Sequence, residues 1–152
     1  YIKSEVFEKL SDYSELLKGI DSIEIAAKHK GLAKLGDEII NMVYSLGESI
    51  FKSHPTGEKL NATVLSESMK ASGLRYLAKS RANAHSIADS AEAIIAYAFL
   101  QYKVKIEDLV MQIIAGFQKK PYPWFNNQMK QDAKISAITE LLLLIKSIYY
   151  NS

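Results

Sequence analysis

Asp89 and Glu92 stand three residues apart near the start of an apolar run, SIADSAEAIIAYAFLQY, Ser86 to Tyr102. Residues at that spacing share one face of a helix, so both carboxylates can serve one cation. Capping is the simpler reading. In an Asp-x-x-Glu capping box Asp89 accepts from a backbone N–H and Glu92 reaches back. With Ser86 as the cap instead, Asp89 sits in the favourable field of the helix dipole. Capping serves Asp89 better than Glu92. Ala91 and the run Ala93 to Leu100 cover every face of the helix around Glu92, and a helix apolar all round is buried. A glutamate there needs a lysine, an arginine or a metal, because losing its hydration costs several kcal/mol. Mg²⁺ suits the pair, since it takes one or two carboxylates, several waters and a phosphate, and Ala93 and Ala96 leave room beside them.

A third acid lies in a matching setting. Gly31 to Phe51 carries Leu32, Leu35, Ile39, Met42, Leu46 and Ile50 at steps of three and four, which predicts a long amphipathic helix. Asp37 falls off that stripe, on the side of Ala33, Asn41 and Tyr44, whereas Glu38 reads as solvated. Gly36 costs the helix about 1 kcal/mol against alanine, and a glycine at mid-helix marks the close approach of another backbone.

The elements that must hold these acids are helical. The three prolines sit at Pro55 and at Pro121 and Pro123, and strand signals are nearly absent. Helices are expected at Ser4–Lys18, closed by Gly19, and briefly at Ser22–His29. Further on, Asn61–Ala71 has Asn61 as cap and Gly73 as stop, Ser86–Tyr102 and Ile106–Ala115 follow, and a last amphipathic helix covers Gln128–Tyr149 after a loop, Gln118–Asn127. The expectation is an all-α, single-domain helical bundle of about seven helices over residues 1–152. A net charge of +2 argues neither for nor against nucleic acid. The absence of cysteine excludes disulfides and thiolate metal sites, and favours a cytoplasmic protein. No apolar run, Leu141 to Ile145 included, reaches membrane-spanning length, and no signal peptide is expected. His29, His54 and His85 are too scattered for zinc, although His85 lies four residues before Asp89.

The two acidic segments together resemble the catalytic domain of the ribonuclease III family. The family's signature helix, approximately Glu-x-Leu-Glu-Phe-Leu-Gly-Asp, is matched by Leu32-Ala33-Lys34-Leu35-Gly36-Asp37-Glu38-Ile39-Ile40-Asn41. Its second acidic motif is matched by Asp89-Ser-Ala-Glu92-Ala-Ile-Ile-Ala96-Tyr-Ala-Phe-Leu100, and Asn61 to Leu65 looks like the opening of its middle helix. The likeness spans about residues 30 to 102 and is nearest to the small archaeal ribonuclease III-like proteins, which share Gly-Leu-Ala-Lys-x-Gly-Asp. It implies an all-α endoribonuclease acting as a homodimer on double-stranded or structured RNA with Mg²⁺ (or Mn²⁺). Asp37, Asp89 and Glu92 would be its catalytic, metal-holding carboxylates.

The chain departs from the family pattern at Ala33, where the family has a fourth metal-site glutamate. It departs again at Lys30, near a further glutamate, and at Lys34, where an aromatic residue packs at the dimer interface. Glu38 and Glu67 are possible replacements, and Glu58 falls roughly where another family acid sits. These departures support an alternative, a catalytically impaired dimeric RNA-binding or scaffold protein, in which Lys30 or Lys34 fills the acid site as an ion pair. A helical interaction module with the acids as caps is a third reading. Lys30 and Lys34, with Lys28, are candidates to track an RNA backbone, or form a solvated face. Lys119 and Lys120 open a loop, KKPYPWF, whose base and aromatics suit phosphate and a stacked base, unless Trp124 simply plugs the core. No separate double-stranded-RNA-binding domain is expected within the chain.

Overall fold

The computed structural model describes residues 3–10 and 12–150. Among these the fold is all-helical, with seven α-helices and no strand: α1 (Ser4–Leu10), α2 (Ile23–Ala26), α3 (Lys30–Lys52), α4 (Ala62–Ala71), α5 (Ala84–Leu100), α6 (Ile106–Gln118) and α7 (Asn127–Tyr149). The expected Ser4–Lys18 helix differs. After α1 a 3-10 helix runs Tyr13–Leu17, begun by Asp12, whose carboxylate accepts from the Ser14 N–H at 3.1 Å. A side chain that bonds its own backbone offers the chain an alternative to continuing a helix. Ser11, which the longer helix would include, lies outside the described residues.

α5 runs through the middle of the bundle and packs against α3, α4, α7 and α2. Ala91, Ala93, Ile94, Ile95, Ala96 and Ala98 are wholly buried, as expected of a helix apolar on all faces. α6 and α7 close the core with Ile113, Phe117, Ile138, Leu141 and Leu142. The Gln118–Asn127 loop turns Trp124 inward. That ring is 9 % exposed, stacks on Phe51 at 5.5 Å and lies 5.0 Å from Phe117, so it plugs the core.

α3 has two apolar stripes, and only one faces the chain's own core. Leu32, Ile40, Val43 and Tyr44 are buried, and so is Ile39. The rest of the stripe that predicted the helix is exposed: Leu35 38 %, Met42 47 %, Leu46 43 % and Ile50 59 %. A 3.6-residue period reports that a helix is amphipathic, without saying which molecule covers each face.

Candidate active site

Asn83, and not Ser86 or Asp89, caps α5. Its side chain accepts from the Ser86 N–H at 2.9 Å. Asp89 and Glu92 therefore lie beyond the first turn, and neither serves as a cap. Asparagine ranks with the best N-caps, and its position three residues upstream moves the helix start.

Gly36 sets the geometry. A Cβ there would overlap the backbone carbonyl of Glu92 and come within 3.0 Å of its Cα. α3 and α5 cross at this point with nothing between their backbones, so Asp37, the next residue, meets the Glu92 side chain.

Glu92 is 7 % exposed and pairs with no lysine or arginine among the described residues. Burial pushes its carboxyl up to about 9, helped by a hydrogen bond with Asp37 and by the negative charges of Asp37 and Asp89, against a weaker pull from Lys59. The Asp37 carboxyl is held below its usual range, first by the hydrogen bond from Glu92 and then by Lys59 and Asn41, with burial opposing. The opposite directions of the two shifts favour a single proton shared by the pair. Asp37 also accepts from Asn41 Nδ2 at 2.9 Å and faces the Lys59 ammonium at 3.5 Å. Asp89 is exposed at the rim. All three acids line one cavity of about 710 Å³, together with Lys30, Lys34, Lys59 and His85. A smaller cavity of about 120 Å³ adjoins it at Ala33 and Asp89 and adds Lys28 and Lys79.

A family model described as Ribonuclease III matches residues 30–146. The chain belongs to the ribonuclease III family. The match begins at the first residue of α3 and runs into α7, well past the Leu100 end of the acidic motif. A search of curated proteins finds no match. Membership brings ribonuclease III-like function and RNA as substrate in general terms, in a family that uses divalent metals. No described helix is long and apolar enough to cross a membrane.

For a ribonuclease III domain the acid set is sparse. Among the described residues no three His, Cys, Asp or Glu side chains form a group arranged to hold a metal ion. The expected three-carboxylate cluster is in fact a close pair, Asp37 and Glu92, with Asp89 at the rim. The candidate replacements for the missing glutamate lie elsewhere. Glu38 is exposed and Glu67 pairs with Lys70 at 3.5 Å, while Glu58, which falls roughly where another family acid sits, pairs with Lys134. The donor set nonetheless fits Mg²⁺, which needs only one or two carboxylates and completes its shell with water and phosphate. The raised Glu92 carboxyl and the lowered Asp37 carboxyl are groups a cation would satisfy, and metal uptake at a protonated carboxylate would release its proton.

Lys30 and Lys34 stay exposed and form no ion pair among the described residues, so neither fills the acid site. The lysine that does reach it is Lys59, which the sequence reading passed over. Lys119 pairs with Glu140 and, with Lys120, lines a separate cavity against α7, so these two do not join the acids. His29 caps α3 by accepting from the Leu32 N–H at 3.1 Å, and the buried Glu48 pairs with Lys52 at 3.2 Å.

Proposed function

We propose that the chain is a metal-dependent endoribonuclease that hydrolyses phosphodiester bonds in double-stranded or structured RNA, working as a homodimer. The observation that carries this reading is the buried Glu92 carboxyl facing Asp37 across the α3–α5 crossing with no lysine or arginine paired to it. Mg²⁺ or Mn²⁺, when bound, supplies an activated water and neutralises charge on the phosphate. Asp37 and Glu92 would hold the ion, and Asp89 would orient water at the rim. Lys28, Lys30 and Lys34 border the two adjoining cavities and would follow the RNA backbone, since phosphate contacts need only placed positive charge. Recognition would rest on shape and backbone.

Incubation with structured RNA and Mg²⁺ or Mn²⁺ tests this. The wild type is expected to cut, and Asp37→Asn to cut about 100-fold more slowly, as when an electrostatic group at a reacting phosphate is lost. RNA binding without cutting by the wild type would replace this reading with the impaired, scaffold-like one, which Ala33 and the lysine on Asp37 favour.

The exposed stripe Leu35, Met42, Leu46 and Ile50 supports the dimer. It runs about 22 Å along α3 and suits a self-complementary two-fold contact. Light scattering should find a wild-type dimer and, for Met42→Lys/Leu46→Lys, a folded monomer. A wild type that is monomeric at every concentration removes the dimer.

A further inference from the structure

Asp37, Asn41, Ser45 and Ser49 recur every fourth residue on one face of α3. Three of them bind the extended segment that leads from α3 to α4. Ser49 Oγ accepts from the Thr56 N–H at 2.9 Å, Ser45 Oγ from the Glu58 N–H at 3.2 Å, and Asn41 Oδ1 from the Leu60 N–H at 2.9 Å. The bonded positions alternate, as backbone groups of an extended chain do. The segment is therefore tied down at every second residue. Lys59 falls between the last two ties, and its ammonium reaches Asp37, the fourth member of the row, at 3.5 Å. Asn41 joins the two ends, because the same amide that holds Leu60 donates to Asp37 at 2.9 Å.

The Lys59 main chain is thus anchored while its side chain remains 75 % exposed. An anchored main chain that carries an exposed side chain can exchange the ammonium's partner, Asp37, for another without moving backbone. Asp37 and Glu92 lie on the same cavity wall, and Ala33 leaves that wall one carboxylate short of the family pattern. Fewer carboxylates mean less metal charge retained, and a positioned ammonium can supply part of what is missing.

We propose that Lys59 is a phosphate-binding residue of the cleavage site, held by Asp37 when no RNA is present and turning to the non-bridging oxygens of the scissile phosphate when RNA enters. This rests on the endoribonuclease reading above and adds a residue to it. Hydrolysis adds one water across a P–O ester bond: its oxygen bonds to phosphorus, the ester bond breaks, and a proton ends on the departing oxygen. Lys59 keeps its proton throughout and stabilises the charge that gathers on the phosphate. A lysine acts here as a point charge with rotatable donors, which suits a change of partner.

The test uses the full chain with Lys59→Gln and Lys59→Arg. Mn²⁺ titration followed by melting, without RNA, reads the metal site, and single-turnover cutting of a duplex RNA reads the reaction. Lys59→Gln is expected to bind Mn²⁺ about tenfold more tightly, because a like charge near the ion has gone, and to cut about 100-fold more slowly. Lys59→Arg should recover most of the cutting. A residue that merely held the loop would move both readouts in the same direction. A wild type that cuts no RNA overturns the endoribonuclease reading itself. A wild type that cuts while Lys59→Gln cuts equally fast, or loses Mn²⁺ affinity and cutting together, overturns the role of Lys59 alone.

Discussion

Gly36→Ala is expected to lose about 2 kcal/mol of stability and to lower Tm by roughly 6 °C. Two effects oppose each other in this substitution. Alanine in place of glycine inside a helix gains about 1 kcal/mol from propensity. Against it, the new Cβ meets the Glu92 carbonyl, which belongs to the backbone of α5 and cannot rotate away. α3 and α5 must then part by an ångström or more along a contact in the middle of the core, and overpacking there costs typically 1–3 kcal/mol, sometimes more. The larger effect wins. The functional damage should exceed the loss of stability, since the same separation draws Asp37 away from Glu92. Thermal melting with and without Mn²⁺ checks both points: a lower Tm, and little or no rise when the ion is added. A variant more stable than the wild type would mean that the helices do not meet as closely as described.

Glu92→Gln is expected to stabilise the metal-free protein above neutral pH while abolishing its response to metal. The folded carboxyl titrates near 9, against 4.5 for an ordinary glutamate. A group whose pKa is raised on folding contributes stability that is fully present below its unfolded pKa and is lost as pH rises through the folded one. Between about pH 4.5 and pH 9 the wild type therefore loses stability as it must either bury a second negative charge or keep a proton against the solution. The Asp37 carboxyl, shifted down, works in the opposite sense: its contribution is present above its ordinary 3.8 and is lost as pH falls below that. Glutamine fills the same space, keeps a donor toward Asp37 and does not titrate. At pH 8 it should be more stable than the wild type by about 2 kcal/mol, with a nearly flat Tm across the window. Mn²⁺ should raise the wild-type Tm by mass action and leave the variant unchanged. On the proposed function cutting should fall with it, by a factor of about 1000, because the variant would lack one of the two carboxylates proposed to hold the ion. A variant that is less stable at pH 8, or that keeps its Mn²⁺ shift, would remove Glu92 from the metal site.

α3 and α5 were legible in the sequence because each breaks a simple rule in a way that burial explains. Glu92 sits among alanines and isoleucines, and Gly36 interrupts an otherwise strong helix. Both features mark the same crossing. The family match covers the same two helices and extends the likeness beyond Leu100. What stayed hidden has physical causes. The break between α1 and the 3-10 helix depends on Asp12 bonding Ser14, which hydrophobic spacing does not register. Asn83 and Ser86 are both good caps three residues apart, and only the fold chooses between them. Along α3 the period could not separate the stripe that meets α5 from the stripe of Leu35, Met42, Leu46 and Ile50. Lys59 was the largest omission. It lies in a segment with no helical or strand period, and the row Asn41, Ser45 and Ser49 that positions it reads, from residue types alone, as a solvated face.

The chain has one tryptophan, and its place in the bundle makes it a selective optical probe. Trp124 packs on Phe51 at the far end of α3, about 21 Å along the helix from Asp37. Its emission will report whether the α6–α7 loop stays docked on the core. Ion arrival between Asp37 and Glu92 lies beyond its direct reach, so a change in fluorescence on adding Mn²⁺ would have been carried the length of α3.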